Sequence, residues 1–305
     1  MRTRVPAPHR GHLHHGDQRR PGPRRSVNSF FNNIRHYRSA LGQIVREHIE
    51  FRVQILQLAR ADIVKTYRGS ALGWLWAVIK PSVTIFVFWF AFTIGLRSGK
   101  PVNGYPFFLW LVSGIVPWFY MSEMLTQGSK SLSRYNYLVT KIKFPVSTIS
   151  TFVSLSKLYV HLALMGVVVV LFLAFGYPID IYYLQLPVYL FLMFFFFTLW
   201  TLFAAPLAAV SKDFANVISS FVTAIFWMSG IMWDVNRIGS PLMKKILLFN
   251  PVTFLATGYR NVFIYKQWFW EDQFALAAFT VMLLGMALLA LYTYEKLRHE
   301  IADVL

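Results

Sequence analysis

"KTYRGSALGWLWAVIKP", residues 65–81, places three cations, two tryptophans and two glycines directly before a long apolar segment. A water-soluble core would not gather charges and indole rings so closely. A membrane surface does, because Lys and Arg reach the lipid headgroups while Trp lies at the boundary between water and lipid. Glycine adopts backbone angles that other residues resist, so Gly69 and Gly73 permit a sharp change of direction. We interpret the stretch as an elbow at which the chain turns from the membrane surface into the membrane.

The segment before the elbow has the pattern of an amphipathic helix. Apolar residues recur there at helical spacing, with arginines interleaved: Val45, Ile49, Val53, Leu56, Ile63 and Tyr67. This pattern is typical of a helix that lies in the plane of the membrane interface. It predicts three regions: a disordered basic cytoplasmic tail (1–39), the interfacial helix with its elbow (40–74) and a transmembrane domain (75–305).

Composition and charge spacing predict an all-α integral membrane protein with six transmembrane helices. Hydrophobic residues make up 56% of the 305-residue chain and charged residues only 14%, against about 25% in soluble domains. Five of the six charge-free stretches have at least 20 residues, enough for a helix to cross about 30 Å of hydrocarbon. The first reaches that length if Lys80 and Arg97 extend from its ends, and Pro81 suits a first helical turn. The stretches are 81–96, 101–122, 158–179, 181–211, 214–233 and 273–294.

The distribution of Lys and Arg predicts the orientation. With a cytoplasmic N-terminus, 23 of the 30 Lys and Arg residues lie on the inner side, so the positive-inside rule places both termini in the cytoplasm. The net charge of +17 would also suit nucleic acid, but it lies on a tail and a membrane face without a binding module. The alternative of buried helices in a large soluble protein fits the composition poorly.

The first 28 residues lack an apolar core for a secretory signal, and their Pro, Gly, Arg and His content predicts a solvated basic tail. His9, His12, His14 and His15 offer metal ligands without a fold that fixes their geometry. The chain has no cysteine, which excludes disulfides and thiolate metal sites. We therefore predict no metal site.

The sequence predicts no energy source of its own. No acidic residue lies in the middle of a predicted span, whereas proton- and cation-coupled transporters keep carboxylates there. His161 is the one ionisable group well inside a span, and a packed, hydrogen-bonded role suits it better than a proton relay. A phosphate-binding loop of the form G-x-x-x-x-G-K-[ST] is absent. A transporter of this kind would need a separate ATPase subunit.

Five segments, in order along the chain, resemble the membrane permeases of ABC transporters that export polysaccharides and teichoic acids. They are "DIVKTYRGSALGWLWAVIKP" (62–81), "GIVPWFYMSEML" (114–125), "YLVTKIKFPVSTIS" (137–150), "SKDF" (211–214) and "NPVTFLATGYRNVFI" (250–264). The resemblance covers about residues 60–300, and the elbow resembles the teichoic-acid branch slightly more than the O-antigen branch.

The resemblance implies the assembly and the cargo. It implies a homodimer of six-span permeases on two ABC nucleotide-binding subunits, which would bind ATP and Mg²⁺, with no cofactor in this chain. It also implies export of a lipid-linked polymer through a channel between the two permeases in the cytoplasmic (inner) membrane. No catalytic residue is expected.

The resemblance also suggests roles for particular residues. The loop between spans two and three would couple to the ATPase, or else simply anchor a helix start, through Lys141, Lys143, Phe144 and Pro145. The interfacial helix would border the ATPase and contact the lipid-linked substrate, or else only anchor in headgroups, through Lys65, Tyr67 and Arg68, with Asp62 nearby. Lys212 and Asp213 suit a structural turn.

Aromatic residues are abundant, with 29 Phe, 15 Tyr and 10 Trp. The resemblance implies that some of them line the polymer path, which fits the stacking of ring faces on the apolar faces of sugars, although packing against lipid or in an aromatic belt explains any single ring better. The candidates are Phe86, Trp89, Phe90 and Trp227.

Before the last span, 241–249 and 251–264 each begin with proline and have helical apolar spacing, which predicts two short re-entrant helices. The resemblance implies that these helices form an external gate. The gate candidates are Asn250, Pro251, Tyr259 and Arg260. Arg260 among apolar neighbours needs a partner, for which Asp234 and a phosphate of the cargo are the two candidates.

Three functions fit the sequence. The first is the polymer-export permease. The second is a membrane enzyme acting on lipid-linked sugars, which would be expected to cluster its acids at one membrane face, whereas here they are scattered. The third is a permease of the same architecture for drugs or small lipids.

Overall fold

The computed structural model describes residues 39–142 and 144–297. The predicted tail up to residue 38, Lys143 and residues 298–305 lie outside the described residues. The first helices are α1 (39–50), α2 (Arg52–Tyr67), α3 (Trp76–Phe90), α4 (Phe107–Glu123), α5 (Ser131–Arg134) and α6 (Asn136–Thr140). They are followed by α7 (Val146–Ala174), α8 (Leu186–Val210), α9 (Lys212–Met228), α10 (Pro241–Leu248), α11 (Pro251–Arg260) and α12 (Gln273–Leu297).

The long helices run in alternating directions between two ends of one bundle. At one end, which we call the α2 end, α1 and α2 pack against the start of α7, the last turns of α8 and α12, and the short helices α5 and α6. At the opposite end, the α10 end, α10 and α11 pack beside the start of α12. Successive long helices therefore enter and leave the bundle at opposite ends.

Five helical segments of the described part are long and apolar enough to cross a membrane: Gly73–Gly95, Phe107–Gly128, Val146–Ala174, Ile181–Val210 and Gln273–Leu297. They correspond to five of the six predicted spans. The remaining prediction, 214–233, falls on α9, whose 17 residues give a length of about 25 Å at 1.5 Å per residue. It is shorter than the five complete helical segments, which have 22 to 30 residues, because it ends at Met228, and a turn at Gly230 with φ +67° follows.

The elbow forms where the sequence predicts a change of direction. Gly69 and Gly73 have φ values of +86° and +51°, in the left-handed region that suits glycine. The prediction for Pro81 was wrong, because α3 begins at Trp76 and the proline lies inside the helix. The 3₁₀ turn of Gly73–Leu75 runs straight into α3, so the helix starts a turn earlier than the charge spacing suggests, and Pro81 removes one of its backbone hydrogen bonds.

The interfacial segment turns its predicted apolar stripe away from the bundle. Val45, Ile49, Val53 and Leu56 are all exposed. The side that contacts α7 has Ile55, Ala59 and Asp62 as its buried positions on α2. In α1, the Glu47 carboxylate accepts hydrogen bonds from Ser147 of α7 and from the Tyr294 hydroxyl of α12 at 2.8 Å. Polar contacts and the packing of Ile55 and Ala59 together fix the segment to the bundle, and most of its predicted apolar stripe stays exposed.

The centre of the bundle is α4. Most of its residues are buried, including Leu109, Leu111 and Ile115 at 0% exposure, and it packs against α3, α7 and α11. By contrast, α3 has little of its surface covered. A helix so exposed on the outside of the bundle is available to contact lipid or another protein.

Candidate functional site

The exposed surface of α3 and α9 carries most of the aromatic residues predicted to line a channel. Phe86 and Phe90 of α3 and Trp227 of α9 are exposed. Trp89 is only partly exposed, because its ring packs edge-on against Phe108 of α4 with the ring centroids 6.5 Å apart. Three of the four candidates are therefore exposed on the outside of the bundle, while the fourth partly supports it.

The two helices touch through one pair of aromatic rings. Phe88 of α3 and Phe226 of α9 lie with ring centroids 5.5 Å apart, and Phe226 lies 5.5 Å from Trp118 of the central helix α4. We call the combined exposed surface the α3–α9 face.

A polar stripe runs along the exposed side of α9. Asn216, Ser220, Thr223 and Trp227 are all exposed, and their spacings of four, three and four align them on one helical face. The Ser220 hydroxyl donates to the Asn216 carbonyl at 3.0 Å, which satisfies the hydroxyl within the helix. The exposed Asn216 carboxamide is costly in hydrocarbon. This surface suits water, a polar cargo or another protein better than lipid tails.

A cavity of about 210 Å³ lies at the α2 end between α2, α3, α4 and α7. Tyr67, Lys80, Glu123 and Lys157 line it. Lys157 Nζ lies 2.8 Å from Glu123 Oε2, and the Lys157 side chain is only 11% exposed, whereas that of Glu123 is 52% exposed. Burial, together with the nearby carboxylates of Glu123 and Asp62, raises the pKa of Tyr67, so its hydroxyl remains a hydrogen-bond donor at neutral pH.

The three predicted substrate-contacting residues of α2 separate in the structure. Tyr67 lines the cavity just described, whereas Lys65 lines a neighbouring cavity of about 430 Å³. Lys65 Nζ lies 5.8 Å from the centre of the Tyr135 ring. Arg68 is exposed and lines neither cavity. Glu123 and Lys157 line both cavities, so their ion pair forms the shared wall.

A buried carboxylate connects the interfacial helix to the α5–α6 segment. Asp62 is 5% exposed and accepts hydrogen bonds from the Tyr135 hydroxyl and, at 2.5 Å, from the Ser156 hydroxyl of α7. Burial and the hydrogen bond to Asp62 raise the pKa of Tyr135, so this hydroxyl stays protonated and donates. Three separate segments are held together at one buried group.

The predicted coupling loop contains both buried and exposed residues. Phe144 is 6% exposed, and its ring packs against Phe51 with the centroids 5.1 Å apart. The Pro145 carbonyl accepts from the Thr148 backbone amide at 3.2 Å at the start of α7. Lys141 is exposed, as is the apolar Ile142 at 62%. Lys143 lies outside the described residues. The loop is anchored by Phe144 and Pro145 and presents Lys141 and Ile142 outwards.

The candidates for the external gate lie at the α10 end and are largely buried. The Asn250 side chain accepts from the Val252 amide at 3.0 Å and donates to Ser229 at 2.7 Å, capping α11, which begins at Pro251. The Tyr259 hydroxyl lies 3.0 Å from Nε2 of His161. These residues therefore tie α11 to α7 and to the end of α9, and His161 has the packed role that the sequence favoured.

Arg260 is a large charged side chain that is buried at the α10 end, with 2% of its surface exposed. It donates to the carbonyls of Gly230 at 2.6 Å and Ile231 at 2.5 Å, and its guanidinium lies 3.6 Å from the centre of the Trp110 ring. Asp234 instead lies 3.7 Å from Arg237. Arg260 thus finds its partners in backbone carbonyls and an aromatic face rather than in the carboxylate that the sequence suggested.

Sequence reasoning missed Glu123, Lys157 and the contacts of Asp62 as site residues. A signal for the first two was present, because Lys80, Glu123 and Lys157 are the charges that end the charge-free stretches of the first three spans. Antiparallel neighbouring spans bring such boundary charges to the same end of a bundle. Nothing in the sequence indicated that Tyr135 and Ser156 donate to Asp62.

Within residues 39–142 and 144–297, no group of three or more His, Asp or Glu side chains is arranged to hold a metal ion. The four tail histidines considered above lie outside that part of the chain.

Comparison with known proteins matches the profile of a family described as "ABC-2 type transporter" to residues 53–264. The chain is 27% identical over 263 residues to the O-antigen export system permease protein RfbA of Myxococcus xanthus, covering 86% of this chain and 98% of that relative. Two proteins of the same name from Klebsiella pneumoniae are 20% and 19% identical over 252 and 254 residues, each covering 82% of this chain and 94% of the relative.

Proposed function

Because this chain belongs to the ABC-2 type transporter family, we propose that it is the transmembrane subunit of an ATP-driven exporter of a lipid-linked cell-surface polysaccharide. The relatives carry the name of O-antigen permeases, which favours a polysaccharide over the teichoic acid suggested by the elbow. A nucleotide-binding subunit would bind ATP and Mg²⁺, and this chain would carry out no catalysis itself.

The observation that carries the proposal is the α3–α9 face. It combines exposed rings with the polar stripe of Asn216, Ser220 and Thr223 on helices at membrane depth. In a homodimer, two such faces would enclose a channel in which rings stack on sugar faces and hydroxyl and amide groups hydrogen-bond to sugar hydroxyls. Val170 of α7 and Leu288 of α12 are exposed apolar residues and suit lipid.

The proposed topology has six crossings in the cytoplasmic membrane, with α9 as the short one and both termini in the cytoplasm. The α2 end is the cytoplasmic end in this proposal, because it carries the excess of Lys and Arg. The helices α10 and α11 would dip into the outer leaflet, where α10 exposes Leu242, Met243 and Ile246. Asn250, Pro251, Tyr259 and Arg260 would then support an external gate by fixing α11 rather than by lining it. Lys65, Tyr67 and Arg68 would meet the substrate at the inner surface.

Deletion of the gene tests the export function directly. We expect the deletion strain to lose surface polysaccharide and to accumulate its lipid-linked form inside, and the wild-type gene to restore export. A bulky Ser220→Trp variant should reach the membrane but restore less than about a tenth of export, because it fills the proposed channel. Leu288→Trp, on an exposed apolar surface of α12, is the matched control and should restore export fully. Unchanged surface polysaccharide in the deletion strain would refute the function.

The exposed part of the α6–α7 loop is proposed to bind the ATPase subunit. We expect Ile142→Glu, and Lys141→Glu together with Lys143→Glu, to reduce co-purification of the ATPase subunit several-fold while the permease itself folds normally. Lys212→Glu, which is exposed at the same end of the bundle, controls for a general loss of positive charge. Equal recovery of the complex with all variants would exclude this loop from the interface.

The alternative function is a permease of the same architecture for drugs or small lipids. No feature of the described residues specifically supports it. Stimulation of ATP hydrolysis in the reconstituted complex by lipid-linked polysaccharide, and not by amphipathic drugs, separates the two.

A further inference from the structure

Three charges that bound the first three spans converge on one cavity at the α2 end. Lys80 comes from α3, Glu123 from the last residue of α4 and Lys157 from α7, and all three line the cavity of about 210 Å³ together with Tyr67. The neighbouring cavity adds Lys65, Arg134 and Asp62. The two cavities together hold four cations and two carboxylates, so their lining is net positive. Such a lining attracts an anion.

The position of the cavity corresponds to the headgroup level of a membrane. Trp76 lines the cavity, and Trp74 and Leu72 in the adjoining elbow are 65% and 45% exposed. An exposed indole next to exposed apolar side chains is characteristic of the boundary between water and lipid. A lipid whose tail lies in the membrane would therefore hold its headgroup at the depth of Lys80 and Lys157.

The two side chains of the ion pair in the cavity differ in their exposure to solvent. The Lys157 side chain is 11% exposed, while its partner Glu123 is 52% exposed. A mostly buried ammonium needs a counter-ion, but an exposed carboxylate can rotate into water at little cost. Glu123 is therefore suited to be exchanged for another anion.

We propose that this cavity binds the phosphate of a lipid headgroup, which displaces Glu123 from Lys157. Lys157 and Lys80 supply charge-assisted hydrogen bonds to the phosphate oxygens, and the Tyr67 hydroxyl donates a further one. The proposal rests on the proposed export function in so far as the lipid is the carrier of the exported polymer. The phosphate of a bulk anionic lipid offers the same chemistry, and the experiment distinguishes the two sources.

Neutralising Lys157 and neutralising Glu123 are expected to change the affinity for a diphosphate lipid in opposite directions. The probe is radiolabelled farnesyl diphosphate, bound at equilibrium to the purified full-length protein in neutral detergent. We expect Lys157→Gln and Lys80→Gln each to weaken binding about tenfold, because each removes a cation that pairs with phosphate. Glu123→Gln should tighten binding at least about threefold, because it removes a competing and repelling carboxylate. Lys130→Gln, an exposed cation that lines neither cavity, should leave binding unchanged.

A purely structural ion pair gives a different result. In that case Glu123→Gln and Lys157→Gln would both lower the unfolding temperature. They would not change the affinity for the probe in opposite directions. That result would overturn the proposal, and so would wild-type affinity in Lys80→Gln, which is exposed and has little reason to misfold. Farnesol, which lacks the diphosphate, should not compete.

Competition assigns the source of the phosphate. If phosphatidylglycerol, added to the detergent micelles at the same concentration as the unlabelled probe, leaves probe binding intact, the cavity selects the diphosphate of a carrier lipid. If it competes as well as unlabelled probe, the cavity is a general lipid-phosphate site, which still supports the binding proposal. Because the assay needs neither ATP nor transport, its failure would leave the deletion experiment standing, and failure of the deletion experiment would leave the site standing.

Discussion

Arg260→Ala is expected to destabilise the folded protein by at least about 3 kcal/mol, because it strands buried carbonyl groups in a site that excludes water. The guanidinium donates to Gly230 and Ile231 in the turn after α9, and it covers the Trp110 ring of α4 at 3.6 Å. Without it, the turn after α9 keeps its hydrogen bond from Asn250 to Ser229 but loses its contacts with Arg260 of α11. Thermal unfolding in detergent, followed by size-exclusion chromatography, measures the effect.

A single methyl group should reproduce much of this loss without changing any charge. A Cβ added at Gly114 of α4 would lie 2.2 Å from Nη2 of Arg260, which is far inside van der Waals contact. We expect Gly114→Ala to push the guanidinium away from its carbonyl partners and to lower the unfolding temperature clearly. Gly166→Ala in α7 is the matched control, because its added Cβ meets no atom within 4 Å, and alanine is the better helix former.

The surface charge beside this site provides the second control. Arg237 has a side chain that is 64% exposed and pairs with Asp234, so Arg237→Ala should change stability by less than about 1 kcal/mol. If Arg260→Ala were as mild as Arg237→Ala, the buried guanidinium would not hold α9 and α11 together, and the external gate proposed around α11 would lose its support.

The sequence predicted the long helices well because their signal is local. A helix of about 20 uncharged residues has the length needed to cross the hydrocarbon core of a membrane. Five of the six charge-free stretches correspond to helices long enough to do so. Helix boundaries were less predictable. Pro81 suggested a helix start, but Gly73 is the last left-handed residue of the elbow, and the helix propagates from there through Trp76.

Contacts between residues that are far apart in the chain could not be predicted from local sequence patterns. The sequence shows that Arg260 lies among apolar neighbours and needs a partner, but the carbonyls that satisfy it follow α9, about 30 residues earlier. Likewise the exposed stripe Val45–Ile49–Val53 is visible as a helical pattern, whereas the role of Ala59 and Asp62 on the opposite side depends on how α2 packs on α7. Small residues and a single acid carry no periodic signal.

The channel candidates illustrate the same limit. Phe86 and Phe90 follow one helical face of α3, and the sequence could group them. It could not separate Trp89, which packs on Phe108, from the rings that stay exposed. The helical spacing of the polar residues 216, 220 and 223 of α9 is visible in the sequence. Their proposed role in a channel depends on their exposure together with the exposed rings of α3, which only the structure shows.

Asp62→Ala is expected to uncouple the interfacial helix from the α5–α6 segment. The buried carboxylate is the shared acceptor for Tyr135 and Ser156, and its loss leaves both hydroxyls without this partner, at a cost of about 2 kcal/mol in stability. Asp62→Asn, which keeps one acceptor oxygen, should be milder. Glu50→Gln, an exposed acid of the same interfacial segment, serves as the control.

The consequence for activity follows from where Tyr135 lies. In the proposed exporter, the α5–α6 segment leads into the loop that contacts the ATPase, and α2 meets the lipid-linked substrate. A rigid Asp62–Tyr135 contact is then the shortest connection between substrate and ATPase at this end of the bundle. We expect Tyr135→Phe to leave assembly and basal ATP hydrolysis intact while lowering the stimulation by lipid-linked substrate at least about fivefold.

A double-mutant cycle separates this connection from ordinary stability. If Asp62 and Tyr135 act through their hydrogen bond, Asp62→Asn combined with Tyr135→Phe should reduce substrate stimulation no further than the more severe single variant, because contacting residues are not additive. Additive losses would show that the two residues act independently, and unchanged stimulation in Tyr135→Phe would remove the contact from the coupling route. The buried carboxylate would then serve to fix α2 on α7 through its hydrogen bond from Ser156.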